Sequence, residues 1–210
     1  MKPAADGYVS MVCQHDETDE AHMLSTTRRS ALAVIAGSLA APALAQAPGM
    51  SRLTAYAFTF AALDGGEIRL ADFAGKPILV VNTASQCGFT PQYAGLQQLW
   101  TRYHARGLVM IAVPSNDFGG QEPGGAADIA QTANHVYGVT FPIAAKAVVK
   151  GANQHPFYKW AASERPHDLP RWNFHKYLIG RDGHIAAVFP TEIEPTDPRV
   201  IAAIEKELAE

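Results

Sequence analysis

Cysteine is nearly absent. Two occur in 210 residues, Cys13 and Cys87, and Cys87 begins Cys87-Gly88-Phe89-Thr90, so the CxxC spacing of a dithiol redox switch is excluded. The eight histidines form no metal-ligand pattern: the one H-x-E, His15-Asp16-Glu17, lies upstream of the folded part, and no C-x-x-C occurs to complete a zinc signature. No glycine-rich phosphate loop follows a strand in the required frame, so no nucleotide cofactor is indicated. No internal repeat or long block of like charge is present. Three of the 17 basic and five of the 20 acidic residues precede Gln46, which leaves the remainder close to neutral and argues against a nucleic-acid partner.

What is there suits one well-buried core: the chain is 48% hydrophobic and too short to favour two domains. Residues 1–22, with Asp6, Asp16, Glu17, Asp19 and Glu20, read as a poorly ordered extension upstream of a start at Met23. Residues 23–47 read as an export signal with a basic start, a weakly apolar stretch and the small-residue site Ala43-Leu44-Ala45. Arg28-Arg29 resembles the twin-arginine type, which places the product in a bacterial periplasm. A retained membrane anchor is the alternative, although Gly37 and Pro42 interrupt the run and it falls short of the ~20 apolar residues a spanning helix needs. Residues 48–210 form the folded domain, and Cys13 lies upstream of the cut, so the exported form keeps Cys87 alone.

Within that domain, Tyr56 to Ala62 and Glu67 to Leu70 flank Asp64-Gly65-Gly66 and predict a β-hairpin. The continuous apolar run Pro77 to Asn82 predicts a central strand covered on both faces. Thr90 is placed to cap a helix and Pro91 to open it, with Tyr93, Leu96, Trp100 and Tyr103 at helical spacing and Gly107 closing the element. Leu108 to Val113 is the next buried strand, completing a βαβ unit. Helices are predicted over Glu122 to Tyr137, His155 to Ala162 and Thr196 to Leu208. Strands at Phe174 to Ile179 and Ile185 to Phe189 flank the turn Arg181-Asp182-Gly183. The class is α/β: a thioredoxin-like connectivity, with a central mixed sheet flanked by helices and an N-terminal β-hairpin.

Cys87 falls at the carboxyl end of the central strand, just before a helix N-terminus, where α/β sheets collect their sites and where a negative sulfur is favoured. By itself a lone cysteine is as well read as a small buried hydrophobe. Gly119 to Pro123 is equally a turn into a helix, Trp172 ordinary core, Asn173 a turn residue; His175 reads as exposed. Thr90 is either a donor to sulfur or the helix cap.

Taken together, NTASQCGFTPQY, FGGQEPG from Phe118 and WNFHKYLI from Trp172 resemble the glutathione peroxidase family over nearly all of residues 53 to 209. The resemblance implies a catalytic tetrad of Cys87, Gln121, Trp172 and Asn173. It implies attack of a Cys87 thiolate on a hydroperoxide, with water or an alcohol released and a sulfenic acid left on sulfur. Two amides and an indole are uncharged N–H donors suited to hold an anionic sulfur and the oxyanion that leaves.

Two features depart from many non-selenium members. The second-helix region Gln131-Thr132-Ala133-Asn134-His135 has no resolving cysteine, and Pro114-Ser115-Asn116-Asp117 has serine where a further cysteine is common. The chain therefore reads as a one-cysteine enzyme without a bound cofactor, reduced from outside by glutathione or a thioredoxin-like protein. In the family a longer segment here accompanies tetramers, so the resemblance implies that the short Ser163 to Arg171 belongs to a monomer open to bulky lipid hydroperoxides. The alternative is a thioredoxin-like binding or thiol-disulfide exchange protein without peroxidase activity.

Overall fold

The computed structural model describes residues 53–209. The extension at 1–22, the signal at 23–47 and the first residues of the 48–210 domain lie outside the described residues. Strands β1 (Thr59–Ala61) and β2 (Glu67–Arg69) pair antiparallel as the expected hairpin. Gly65 and Gly66 take φ of 100° and 83° in its turn, a region closed to most side chains.

The central sheet has the order β4-β3-β5-β6. Strand β3 (Ile78–Thr83) runs parallel to β4 (Val109–Pro114) and antiparallel to β5 (Lys176–Ile179), which pairs antiparallel with β6 (Ile185–Phe189). This is the thioredoxin-like mixed sheet that the connectivity implies.

Every residue of β3 is buried, because both faces are covered. Leu79 and Val81 point into one core with Leu96, Leu99 and Tyr103 of α1 (Gln92–Tyr103) and Val200 and Ile204 of α4 (Pro198–Ala209). Ile78 and Val80 point the other way, onto Phe157, Tyr158 and Trp160 of α3 (Pro156–Glu164) and onto Phe60 and Ile68 of the hairpin. The alternation is the two-residue period of a strand shared between two apolar layers.

Several predicted elements differ in their bounds. The first strand starts at Thr59 instead of Tyr56, because Ala55–Ala57 close a 3-10 turn with the Phe58 N–H on the Ala55 carbonyl. The second helix starts late: α2 covers Ala126–Ala130 and widens into a π-helical stretch at Gln131–Val136 before Gly138. Lys146 Nζ donates to the carbonyls of Glu122 (2.9 Å) and Gly124 (2.6 Å), so those groups are spent on a side chain instead of a helical turn. The Asp128 carboxylate then accepts the Gly125 N–H at 2.9 Å and opens the helix there. Thr90 does not cap α1; its hydroxyl turns back onto the Cys87 loop. Strand β5 begins at Lys176 instead of Phe174, because Phe174 sits at φ 63°, outside the extended region.

Gly183 closes the β5–β6 turn at φ 82°, and a Cβ there would meet the Tyr56 ring at 2.7 Å and Thr54 Cβ at 2.9 Å. Left-handed strain of roughly 1–2 kcal/mol adds to an overpacking cost of similar size. Gly183→Ala is therefore expected to lower stability by about 2–4 kcal/mol in urea titration; a midpoint within error of the parent would show that the N-terminal segment yields freely.

Candidate active site

Because β5 runs antiparallel to β3, the residues entering β5 stand where β3 ends. The loop leaving β4 arrives at the same place, since β4 is parallel to β3. Three separate stretches of sequence, around Cys87, Gln121 and Trp172-Asn173, thus meet at one end of the sheet.

The Cys87 loop is fixed amide by amide. Ser85 N donates to Glu122 Oε2 (2.9 Å), Gln86 N to the Gln121 carbonyl (2.9 Å) and Cys87 N to Thr90 Oγ1 (3.0 Å). The Thr90 hydroxyl in turn lies 2.9 Å from the Ala84 carbonyl and 2.7 Å from that of Cys87. It therefore serves neither of the roles expected of it: it neither donates to sulfur nor caps the helix, but closes the turn that carries the thiol. Cys87 is 7% exposed, and among the described residues the hydrogen bond reaching Sγ comes from the Phe89 N–H at 3.4 Å.

The segment ahead of β5 is held carbonyl by carbonyl. Asn82 Nδ2 donates to the Trp172 carbonyl (3.0 Å), Thr191 Oγ1 to that of Asn173 (2.8 Å) and Lys176 Nζ to that of Phe174 (2.7 Å). Phe174, the one non-glycine residue with positive φ among those described, is held in that costly conformation by its carbonyl bond, by its N–H on the Asn82 carbonyl and by its ring, edge-on to Tyr93 at 5.3 Å.

Asn173, fully buried, directs its amide to Gln121 Oε1 at 3.0 Å and toward the Phe118 carbonyl at 3.5 Å. Gln121 thereby keeps both of its N–H donors. Trp172 is not core: it is 36% exposed, stands T-shaped to Phe118 at 6.2 Å, and packs so close to Gly119 that a Cβ there would lie 3.2 Å from the indole. Gly119, at φ 71°, is required on both counts. The structure joins Gln121 and Asn173 directly, sets Trp172 against the loop that carries Gln121, and ties that loop to the residue before Cys87.

His175 is buried, contrary to the expectation of exposure; its ring packs on Tyr177 at 4.7 Å, and burial together with neighbouring Lys176 pushes its imidazole down to about 4. Asn82, Ser85, Glu122, Lys176 and Thr191 were not singled out as site residues from sequence. Lys176 alone left a signal, a lysine inside an apolar strand.

A family model for glutathione peroxidase matches residues 55–162. The chain belongs to the glutathione peroxidase family. The matched span takes in Cys87 and Gln121; Trp172 and Asn173 follow it. The chain is 43% identical over 163 residues to a hydroperoxy fatty acid reductase of Synechocystis sp., covering 73% of this chain and 95% of that one. It is 40% identical over 156 residues to a glutathione peroxidase-like peroxiredoxin of Chlamydomonas reinhardtii, covering 70% and 96%. Among solved structures, Trgpx in its apo form is 31% identical, with a TM-score of 0.62 and coverage of 75% of this chain and 97% of that one. As a glutathione peroxidase the chain is a peroxidase-class oxidoreductase, working on a thioredoxin-like frame with thiol chemistry.

Lys176 supplies a test of the frame. It is fully buried, its ammonium also donates to the Ile193 carbonyl at 2.8 Å, and burial pushes it down to about 7 against the opposing pull of Glu194 and Glu192. The folded pKa lies below the unfolded value, so this group's contribution to stability is absent below pH 7 and grows as pH rises toward 10.5. Buried Tyr93, Tyr158 and Tyr177, all raised, begin to favour unfolding only above pH 10, which leaves pH 7–10 as the window. Stability is expected to climb there with a slope of up to about 1.4 kcal/mol per pH unit. Urea titrations at several pH values should show a flatter profile for Lys176→Met, and equal slopes would mean the amine is not desolvated as described.

Proposed function

We propose that the chain reduces hydrogen peroxide and organic or lipid hydroperoxides to water or alcohols, with Cys87 as the nucleophile. The observation that carries this reading is the linked set of bonds in which Gln86 N meets the Gln121 carbonyl and Asn173 Nδ2 meets Gln121 Oε1, since they bind the thiol loop to its amide partners. The Cys87 thiolate attacks the terminal peroxide oxygen; an S–O bond forms, the O–O bond breaks, and sulfur keeps the hydroxyl as sulfenic acid. The other oxygen leaves with the electron pair and takes a proton to become water or alcohol. The free N–H groups of Gln121, oriented by the Asn173 amide on Gln121 Oε1, serve the peroxide and the charge that grows on its leaving oxygen, with the Trp172 indole N–H as the further donor.

An external thiol then attacks the sulfenic sulfur, expels water and forms a mixed disulfide, which a second thiol resolves. Cys87 is the free cysteine of the described domain, so no internal disulfide forms there. The reductant is a small thiol such as glutathione or a thioredoxin-like protein. The exposed face of Trp172 and the name of the Synechocystis relative both support a bulky fatty-acyl hydroperoxide as substrate. The twin-arginine-like stretch at 23–47 supports action in the periplasm, and no helix among the described residues is long and apolar enough to cross a membrane. The short Ser163–Arg171 segment supports a monomer.

The shared frame also suits a thiol-disulfide carrier, and one experiment separates the two. Peroxide consumption is measured with hydrogen peroxide, cumene hydroperoxide and a fatty-acid hydroperoxide, each with glutathione or thioredoxin as reductant. Cys87→Ser is expected to abolish turnover, Gln121→Ala to reduce kcat/KM by about 10²–10³, the usual loss for one oxyanion donor, and Asn173→Ala to lower it through the lost orientation of Gln121. Undiminished peroxide turnover by the serine variant would remove the peroxidase reading.

A further inference from the structure

Glu122 is a carboxylate that the mechanism leaves unused, yet it lies between its two halves. It is 1% exposed and follows Gln121 directly. Oε2 accepts two hydrogen bonds from one residue of the nucleophile loop, Ser85 N at 2.9 Å and Ser85 Oγ at 3.1 Å. Oε1 is buried with no hydrogen-bond partner among the described residues. The backbone of Glu122 is also held, its N–H on Asn116 Oδ1 at 2.8 Å and its carbonyl by Lys146 Nζ at 2.9 Å. The loop behind the carboxylate is therefore anchored, and the carboxylate reaches across to hold the loop in front.

Among the described residues, one other hydrogen bond crosses between these two stretches in the immediate neighbourhood, that of Gln86 N on the Gln121 carbonyl. With two crossing points on consecutive residues, the Ala84–Cys87 turn has a fixed height and a fixed rotation relative to Gln121; with one it keeps a hinge. A buried acid with one unpartnered oxygen is a poor way to stabilise a fold, since the ionised form loses hydration that a single neighbour does not replace. We propose that Glu122 is a positioning residue for peroxide reduction: its carboxylate, acting through Ser85, sets Cys87 against Gln121, and it does so in the ionised form.

This rests on the peroxidase reading above. The groups facing Glu122 give its charge no strong partner: Lys146 favours the carboxylate, Asp128 opposes it, and burial outweighs both along with the Ser85 bonds, so the carboxyl is raised above its ordinary range. A raised carboxyl pKa means the fold prefers the protonated acid. That contribution to stability is full below about pH 4.5 and is lost as pH rises through the raised value, so the ionised carboxylate opposes folding. Function and stability therefore pull in opposite directions at this residue.

The test compares Glu122→Gln, Ser85→Ala and the double variant with the parent, reading kcat/KM for hydrogen peroxide against pH and urea midpoints at pH 7. Glu122→Gln is expected to unfold at the same or a higher urea concentration than the parent while losing on the order of 10–100-fold in kcat/KM, the scale of a small misplacement of reacting groups. Ser85→Ala, which removes the hydroxyl bond and keeps the N–H one, should lose a smaller factor, and the double variant no more than Glu122→Gln alone, because both act through one contact. The acid limb of the parent profile should be shallower by one proton in the glutamine variant. Parent-like kcat/KM in Glu122→Gln, multiplicative losses in the double variant, or activity and stability falling together would each overturn the proposal. Full peroxidase activity in Cys87→Ser, run alongside, identifies the separate case in which the underlying reading fails.

Discussion

The antiparallel pairing of β5 on β3 is the constraint from which the site follows. Val81 faces Lys176 across that pairing, so the chain enters β5 beside the point where β3 releases the Cys87 loop. Asn82, the next residue of β3, makes the join explicit, donating through its side chain to the Trp172 carbonyl and accepting the Phe174 N–H on its backbone. Were the register of β5 on β3 shifted by one residue, Lys176 and His175 would exchange faces and both ties to Asn82, from the Trp172 carbonyl and the Phe174 N–H, would be broken together.

Buried charge is the second organising feature. The ammonium of Lys176 and the carboxylate of Glu122 lie on either side of the site, and each is bonded to loop groups instead of to a charge of opposite sign. Both are pushed toward their neutral forms by burial. Such groups seldom add stability. What they supply is direction: each fastens a loop that has no regular secondary structure to do so. The strands bring three loops to one end of the sheet, and the side chains fix how the loops face each other.

Much of this was legible in the chain. The apolar run at Pro77–Asn82 pointed to the central strand, since a stretch buried on both faces has no polar phase, and the Asp64-Gly65-Gly66 and Arg181-Asp182-Gly183 turns announced both hairpins. The spaced motifs around Cys87, Gln121 and Trp172 named the residues that the fold brings together. What stayed hidden depended on groups distant in sequence or on the closed shape of a single loop. The late start of α2 is set by Lys146, some twenty residues on; the inward turn of Thr90 is set by the shape of its own loop; burial of His175 follows from the antiparallel partner and the ring of Tyr177. Glu122 looked like part of a turn because its target, Ser85, lies on another strand's exit.

Phe174 shows what the site gives up to be well defined. A glycine would adopt its backbone angles without strain, and the segment would be more comfortable, but it would also lose the ring wedged against Tyr93 and gain the freedom to leave that conformation. The aromatic residue keeps the left-handed bend from being optional. Local discomfort here works as a latch: the indole and amide just upstream point the same way in every molecule because the chain has been denied an easier path.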